Sequence, residues 1–154
     1  MIFFRKLLFK AAEKEFNLGV KYAMGLGVTQ DYRKAFEHYL AAAKMGHPEA
    51  QSNLGVMYAN GQGVERNLRE AVGWYLKAAE NGVDDAQYNL GIMFANGQGV
   101  TKNNSEALKW SRAAAAQGHA GAKNTLGVFY TNGFGVSKDP TEAFRWTREA
   151  AEQD

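Results

Sequence analysis

A 36-residue repeat is the feature that most limits the folds open to this chain. Glycine recurs at this step in several series, and alanine does so as well. They include Gly19, Gly55, Gly91 and Gly127; Gly27, Gly63, Gly99 and Gly135; Gly46, Gly82 and Gly118; and Ala35, Ala71, Ala107 and Ala143. A fixed period of this length is typical of a solenoid, in which each copy stacks on the next. Four copies fill residues 11–46, 47–82, 83–118 and 119–154, after ten preceding residues.

Each copy predicts two helices. In the second copy, Ala50, Leu54 and Tyr58 recur at four-residue steps, which predicts a first helix over about 49–60. Gly61 ends this helix because glycine reaches the left-handed conformation at little cost. A second helix is predicted over about 68–80, with its alanines and either Trp74 or Tyr75 on the buried stripe.

A glycine in the middle of every first helix predicts a close contact. Gly55 and its three equivalents stand where glycine costs about 1 kcal/mol relative to alanine. Four repetitions of that cost indicate a packing requirement. We expect an aromatic ring from a neighbouring helix to lie over each missing side chain.

The Gly-x-Gly-Val segments do not resemble a nucleotide-binding loop. A dinucleotide-binding motif follows a strand, carries a third glycine and opens a helix, whereas a phosphate-binding loop ends in Lys-Ser or Lys-Thr. Here the segment follows a helix and ends in valine, as at Val64. The sequence therefore predicts a turn between two helices, with the valine packed into the core.

The full pattern resembles the Sel-1-like repeat, a relative of the tetratricopeptide repeat. It reads Ala-x-x-x-Leu-Gly-x-x-Tyr/Phe-x-x-Gly-x-Gly-Val, followed by Glu-Ala-x-x-Trp-x-x-x-Ala-Ala-x-x-Gly, and the first copy matches it more loosely. The resemblance implies an all-α fold, a right-handed superhelical α/α solenoid of four helix-turn-helix repeats. Members mostly act as adaptors for other proteins, often in signalling or in bacterial contact with a host. Some relatives are disulfide-linked, a property that this cysteine-free chain cannot share.

The first ten residues predict a capping helix that continues into the first repeat. Residues 7–13, LLFKAAE, match WYLKAAE at 74–80, and residues 14–19 match 86–91, but the intervening turn is missing. We therefore expect one long helix, or two nearly continuous helices, over about 3–24.

The resemblance also implies where a partner binds, because the first helices of tetratricopeptide-like pairs line a concave groove. The positions left for this groove mix apolar side chains with a column of asparagines. They are Phe16, Val20, Met24, Ser52, Val56, Asn60, Tyr88, Ile92, Asn96, Asn124, Val128 and Asn132. Such a surface suits an extended or helical peptide. Two interpretations stay open for Asn60, Asn96 and Asn132: direct ligand contact, or capping of the helix end before glycine.

Catalytic and metal-binding patterns are absent from the sequence. His47 and His119 occupy equivalent positions after a helix-ending glycine, which favours a role in the turn, and His38 replaces a tryptophan found in the other repeats. No metal-ligand spacing or His-Glu-x-x-His is present. Some relatives have been linked to β-lactam hydrolysis, but the Ser-x-x-Lys motif of that chemistry is missing. We expect no cofactor, no metal and no enzymatic activity, and keep a β-lactamase-like hydrolase as a remote alternative.

Composition narrows the partners further. The net charge is +2, and no basic face beyond Arg5, Lys6 and Lys10 is concentrated enough to predict nucleic-acid binding. No apolar run approaches the length of a membrane span or of a secretory signal, so we expect no membrane partner and favour the cytoplasm over the periplasm or secretion. The apolar terminal segments suggest the main alternative to an adaptor, a self-assembling homo-oligomer.

Overall fold

The computed structural model describes residues 2–152, with Ile2 represented by its backbone alone. Within this range the chain forms eight α-helices and no strands. The helices are α1 (Ile2–Met24), α2 (Tyr32–Lys44), α3 (Pro48–Asn60), α4 (Leu68–Glu80), α5 (Asp84–Asn96), α6 (Asn104–Ala116), α7 (Ala120–Asn132) and α8 (Pro140–Ala151). They divide into two compact units: unit 1 ends at Asn81 and contains α1–α4, and unit 2 begins at Gly82 and contains α5–α8.

The long first helix is confirmed. α1 runs without a break through residues 13–15, the position at which the sequence predicted that the turn between two helices is missing. The predicted end of the first helix in the second repeat is confirmed as well. Gly61, directly after α3, adopts φ 70° and ψ 36° and donates its N–H to the Met57 carbonyl. Each second helix also has a side-chain cap that the sequence pattern did not single out. In each case an Asp or Asn carboxyl or amide oxygen accepts two backbone N–H bonds, at Asp31, Asn67, Asn103 and Asp139.

Each unit has its own alanine-rich core. In unit 1 the buried cluster is Ala35, Tyr39, Ala42, Ala43, Ala50, Leu54 and Met57. In unit 2 it is Ala107, Leu108, Ala114, Ala115, Ala122, Leu126 and Phe129. Val64 and Val136, the valines that end two of the loops, pack against these clusters as expected.

The prediction about the mid-helix glycines is right in unit 1 and wrong in unit 2. The Tyr39 ring lies over Gly19, with its Cδ1 atom 2.5 Å from the position of a β-carbon built there. In unit 2 the neighbour of Gly91 is the Ser111 hydroxyl instead, at 2.9 Å. The second helices of unit 2 carry Ser111 and Thr147 where unit 1 carries tyrosine, so only small side chains are available to fill the space.

The loop glycine of Gly-x-Gly-Val allows the backbone of the preceding repeat to approach closely. A β-carbon built on Gly63 overlaps the Tyr32 carbonyl oxygen at the start of α2. In unit 2, a β-carbon on Gly135 lies 2.5 Å from the Asn104 carbonyl oxygen. The loop is therefore a turn that locks one repeat onto the next within each unit.

Candidate functional site

Unit 1 has a pocket bordered by its two first helices, α1 and α3. Its volume is about 320 Å³. The lining residues are Phe16, Val20, Ala23, Met24, Tyr32, Tyr39, Asn53, Val56, Met57 and Gln62. Four residues that the sequence assigned to a groove, Phe16, Val20, Met24 and Val56, are thus brought together. Most of the lining is apolar, and the amides of Asn53 and Gln62 supply hydrogen-bonding groups.

The floor of this pocket depends on Tyr39, which is 5% exposed. Its ring rests on Gly19, and Asn53 forms a hydrogen bond with its phenol group. Burial raises the pKa of Tyr39, and the Asn53 bond offsets part of that rise.

Unit 2 has a second pocket, bordered by α5 and α7, with a volume of about 290 Å³. Its lining residues are Ile92, Ala95, Asn96, Lys102, Asn104, Thr125, Val128, Phe129 and Phe134. Ile92, Asn96 and Val128 were predicted groove positions. Lys102 adds a cation that the unit 1 pocket does not have, so the two pockets favour different ligand groups.

Two histidines support the first helices by one repeated arrangement. His47 caps α3, because its Nδ1 atom accepts the Ala50 N–H at 3.3 Å. That bond leaves the Nε2–H to donate to Glu13, at 3.2 Å, while the ring stacks on Phe16 at 4.4 Å between centroids. In unit 2, His119 repeats the arrangement with Ala122, Asp85 and Tyr88.

These contacts give the histidines a structural role in the turn, as the sequence favoured. His38 also behaves as a packed ring, stacking on Tyr22 at 5.5 Å and bonding to Glu15 at 2.7 Å. Among residues 2–152, no group of three or more His, Cys, Asp or Glu side chains is arranged to hold a metal ion. In the same part of the chain, no helix combines the length and apolar character needed to cross a lipid bilayer.

The remaining predicted groove positions lie outside the two pockets. Ser52 is only 6% exposed, so its hydroxyl is not a surface group. Tyr88 is half-buried against His119, whereas Asn60 and Asn124 are exposed. The Asn132 side-chain amide donates to the Val128 carbonyl one turn earlier in its own helix, at 2.9 Å.

Sequence reasoning missed the pocket residues outside the first helices. Tyr32, Gln62, Lys102 and Phe134 come from the loops and the starts of the second helices. A signal was present for Phe134, because the second and third repeats carry glutamine at its position. Phe134 packs edge-on against Phe129, with 6.2 Å between ring centroids, and closes one side of the unit 2 pocket.

Comparison with known proteins identifies the family. The Sel1 repeat model matches residues 12–47, 48–83, 84–119 and 121–154. The chain belongs to the Sel1 repeat family. Members of the Sel1 family are generally protein–protein interaction scaffolds and are typically non-enzymatic. The resemblance seen in the sequence and the all-α repeat fold class are thereby confirmed.

Solved Sel1 structures have closely similar folds. One is c5321, described as a protective antigen of uropathogenic Escherichia coli, with 39% identity, a TM-score of 0.89 and coverage of 92% of this chain but 30% of that protein. A Sel1 repeat protein from Oxalobacter formigenes has 40% identity and a TM-score of 0.88, and the match covers 94% of this chain and 59% of that one. Helicobacter pylori cysteine-rich protein B has 27% identity and a TM-score of 0.63, with coverage of 79% and 96%. No curated protein matches the sequence.

Proposed function

We propose that this Sel1 chain is a non-enzymatic adaptor that binds a peptide or protein segment at the surface of its first helices. The observation that carries the proposal is the unit 1 pocket, which joins Phe16, Val20, Met24 and Val56 in one apolar depression. Its volume of about 320 Å³ is at the lower end for ligand pockets. That size suits a single apolar side chain projecting from a larger partner.

The chemistry of the unit 1 pocket favours an aliphatic or aromatic anchor. Met24 is 69% exposed and can adapt its shape, because its side chain is unbranched. The Asn53 and Gln62 amides can bond to the backbone of a peptide beside the anchor. An extended segment is recognised in this way, by apolar pockets combined with main-chain hydrogen bonds.

The unit 2 pocket favours a ligand group with negative charge. Lys102 stands in its lining next to Ile92, Val128 and Phe134. A carboxylate can pair with the lysine while the adjoining carbon chain contacts the apolar side chains. We therefore expect unit 1 to prefer peptides with an apolar anchor and unit 2, independently, to prefer peptides with an acidic residue.

A displayed random-peptide library provides the test. We expect selection on the wild-type chain to enrich peptides with an apolar anchor, and Val56→Glu to abolish the binding of those peptides. The matched control is Leu76→Glu, which places the same charge on a second helix at a side chain that is 37% exposed. Equal binding by V56E and the wild type, or loss of binding in L76E alone, contradicts the proposal.

A specific observation favours self-association as a second candidate. Phe144 on α8 is 69% exposed, whereas Leu108, at the equivalent position of α6, is 6% exposed and lies in the unit 2 core. A second copy could cover Phe144. Light scattering should then show a concentration-dependent dimer that Phe144→Ser removes, and a monomer at high micromolar concentration excludes this candidate.

A further inference from the structure

The first part of α1 has little packing, since only its side with Arg5, Leu8 and Phe9 borders other parts of unit 1, at residues 45–48. Residues 3–11 are all exposed, including Phe3 at 80%, Phe4 at 70% and Leu7 at 58%. Burial begins only at Ala12, which is 2% exposed. Short helices are marginal in water unless an apolar face is covered, so this segment presents a surface that lacks its cover.

Two adjacent stripes run along this segment. The apolar stripe consists of Phe3, Phe4, Leu7 and Ala11, at three- and four-residue steps. The basic stripe consists of Lys6, Lys10 and Lys14, each four residues from the next. We name the two stripes together the N-terminal ridge. Among residues 2–152, no acidic side chain forms an ion pair with these three lysines.

The nearest acids form no ion pair with the ridge lysines, because both direct their carboxylates to histidines of unit 1. Glu13 accepts a bond from His47 at 3.2 Å. Glu15 pairs with His38 of α2 at 2.7 Å. The ridge therefore combines an exposed apolar strip with three lysines whose ammonium groups are not held in ion pairs within the described residues.

We propose that the N-terminal ridge binds the surface of a bilayer that contains anionic lipids, with α1 lying along the interface. The phenylalanines and Leu7 would enter the boundary between headgroups and acyl chains. The lysines would extend their ammonium groups to lipid phosphates beside them, with their carbon stems against apolar surface. This surface interaction departs from the sequence-based expectation of no membrane partner, and it uses none of the pocket residues.

Charge and side-chain size favour a bilayer over the other covers. A second copy placed ridge to ridge would bring six lysines together, which repel one another. The first helix of an additional repeat would meet Phe4 where the matching second helix has Ala71, a residue that is 0% exposed under a closely packed helix. A phenylalanine at that position prevents the close approach seen in the other pairs.

Vesicle flotation of the full chain tests the proposal. The probes are vesicles of phosphatidylcholine with phosphatidylglycerol in equal parts, and vesicles of phosphatidylcholine alone. We expect binding only to the anionic vesicles, weakened by added salt. The reversal K6E/K10E/K14E should lower the partition coefficient at least about a hundredfold, given about fivefold for each lysine at an anionic surface. The control K44E/K77E/K138E makes the same change in net charge at exposed lysines outside the ridge and both pockets, and should bind almost as the wild type does.

A second variant, F4S/L7S, separates the apolar contribution from the charge. It should retain the fold, since both side chains are exposed, and should also lose most of its binding. No flotation with anionic vesicles, or equal losses in the ridge and control triple variants, overturns the proposal. So does a dimer that F4S/L7S disrupts in the absence of vesicle binding, or capture of an acidic amphipathic helix by the ridge with no vesicle binding.

Discussion

The Tyr75 ring fills the space that a side chain at Gly55 would occupy: its Cδ1 and Cε1 atoms lie 2.6 Å from the position of a β-carbon built on the glycine. Gly55 is in α3 and Tyr75 in α4, so this contact sets how closely the two helices of the second repeat approach. A ring packed directly on helix backbone explains why glycine stands in the middle of a helix despite its poor propensity.

The first prediction concerns this contact. Gly55→Ala should lower the free energy of unfolding by about 1–3 kcal/mol, because displacing the Tyr75 ring costs more than the helix propensity of alanine contributes. Gly73→Ala is the matched control: this glycine is also inside a helix, but nothing lies within 4 Å of its β-carbon position. It should stabilise the chain by up to about 1 kcal/mol. Urea denaturation measures both.

A double-mutant cycle sharpens the test. In the background of Tyr75→Ser, which copies the Ser111 arrangement of unit 2, Gly55→Ala should be much less costly. If the alanine costs the same with and without the ring, the contact does not explain the glycine.

The second prediction compares two loop glycines with the same backbone conformation. Gly27 and Gly63 both have φ +70°, but only Gly63 faces a neighbouring backbone, because its β-carbon position overlaps the Tyr32 carbonyl. Gly27→Ala should cost about 1–2 kcal/mol for the left-handed conformation alone. Gly63→Ala should cost about 1–3 kcal/mol more, because backbone atoms must shift. If both variants lose the same unfolding free energy in thermal or urea denaturation, the close approach of the two backbones does not contribute to stability.

The third prediction concerns the cap of α3. His47→Ala removes the acceptor for the Ala50 N–H, together with the stack on Phe16, and should cost about 1–2 kcal/mol. Hydrogen exchange of the Ala50 amide should accelerate strongly. The Gln51 amide bonds to the backbone carbonyl of residue 47 and should change less. His47→Asn restores a capping oxygen and should recover part of the Ala50 protection, an outcome that a purely steric role of the ring does not produce.

The fourth prediction is a pH dependence. Burial raises the pKa of Tyr39, and its hydrogen bond with Asn53 offsets part of that rise. Above about pH 10 the unfolded chain therefore ionises this phenol while the folded chain keeps it protonated. Unfolding then releases a proton, so stability falls with rising pH by up to about 1.4 kcal/mol per unit.

Tyr39→Phe supplies the comparison. Below about pH 9 the difference in unfolding free energy between this variant and the wild type should not change with pH. Above about pH 9 the variant's stability should decline less steeply than that of the wild type. Burial and Glu70 also raise the pKa of Tyr58, but that contribution is common to both proteins and cancels in the difference. Parallel declines of the two proteins contradict the prediction.

The fold followed from the sequence because it depends on local rules repeated in register. The helix stop at Asn60-Gly61 and the continuous α1 need only glycine's conformational freedom and the missing turn. The side chains that pack against the mid-helix glycines did not follow from these local rules. Whether Tyr39 or Ser111 faces the mid-helix glycine depends on which side chain the second helix carries, and the pattern of glycines alone does not specify it.

The candidate site was less predictable for the same reason. Helical spacing placed Val20 and Val56 on one surface, because neighbouring repeats share one register. Ser52 followed the same spacing but is buried, and Phe134 entered the second pocket from a loop that helical spacing does not describe. Helical spacing alone does not predict the positions of side chains that depend on tertiary contacts.

The contact of Gly63 with the start of α2 also constrains protein engineering. The loop of one repeat contacts the backbone at the start of the second helix in the preceding repeat. The smallest segment that can be exchanged with this contact intact therefore crosses a boundary between two 36-residue repeats. Chimaeras that join two parents between Tyr32 and Gly63 should split this contact, whereas junctions chosen outside that stretch should carry it over whole.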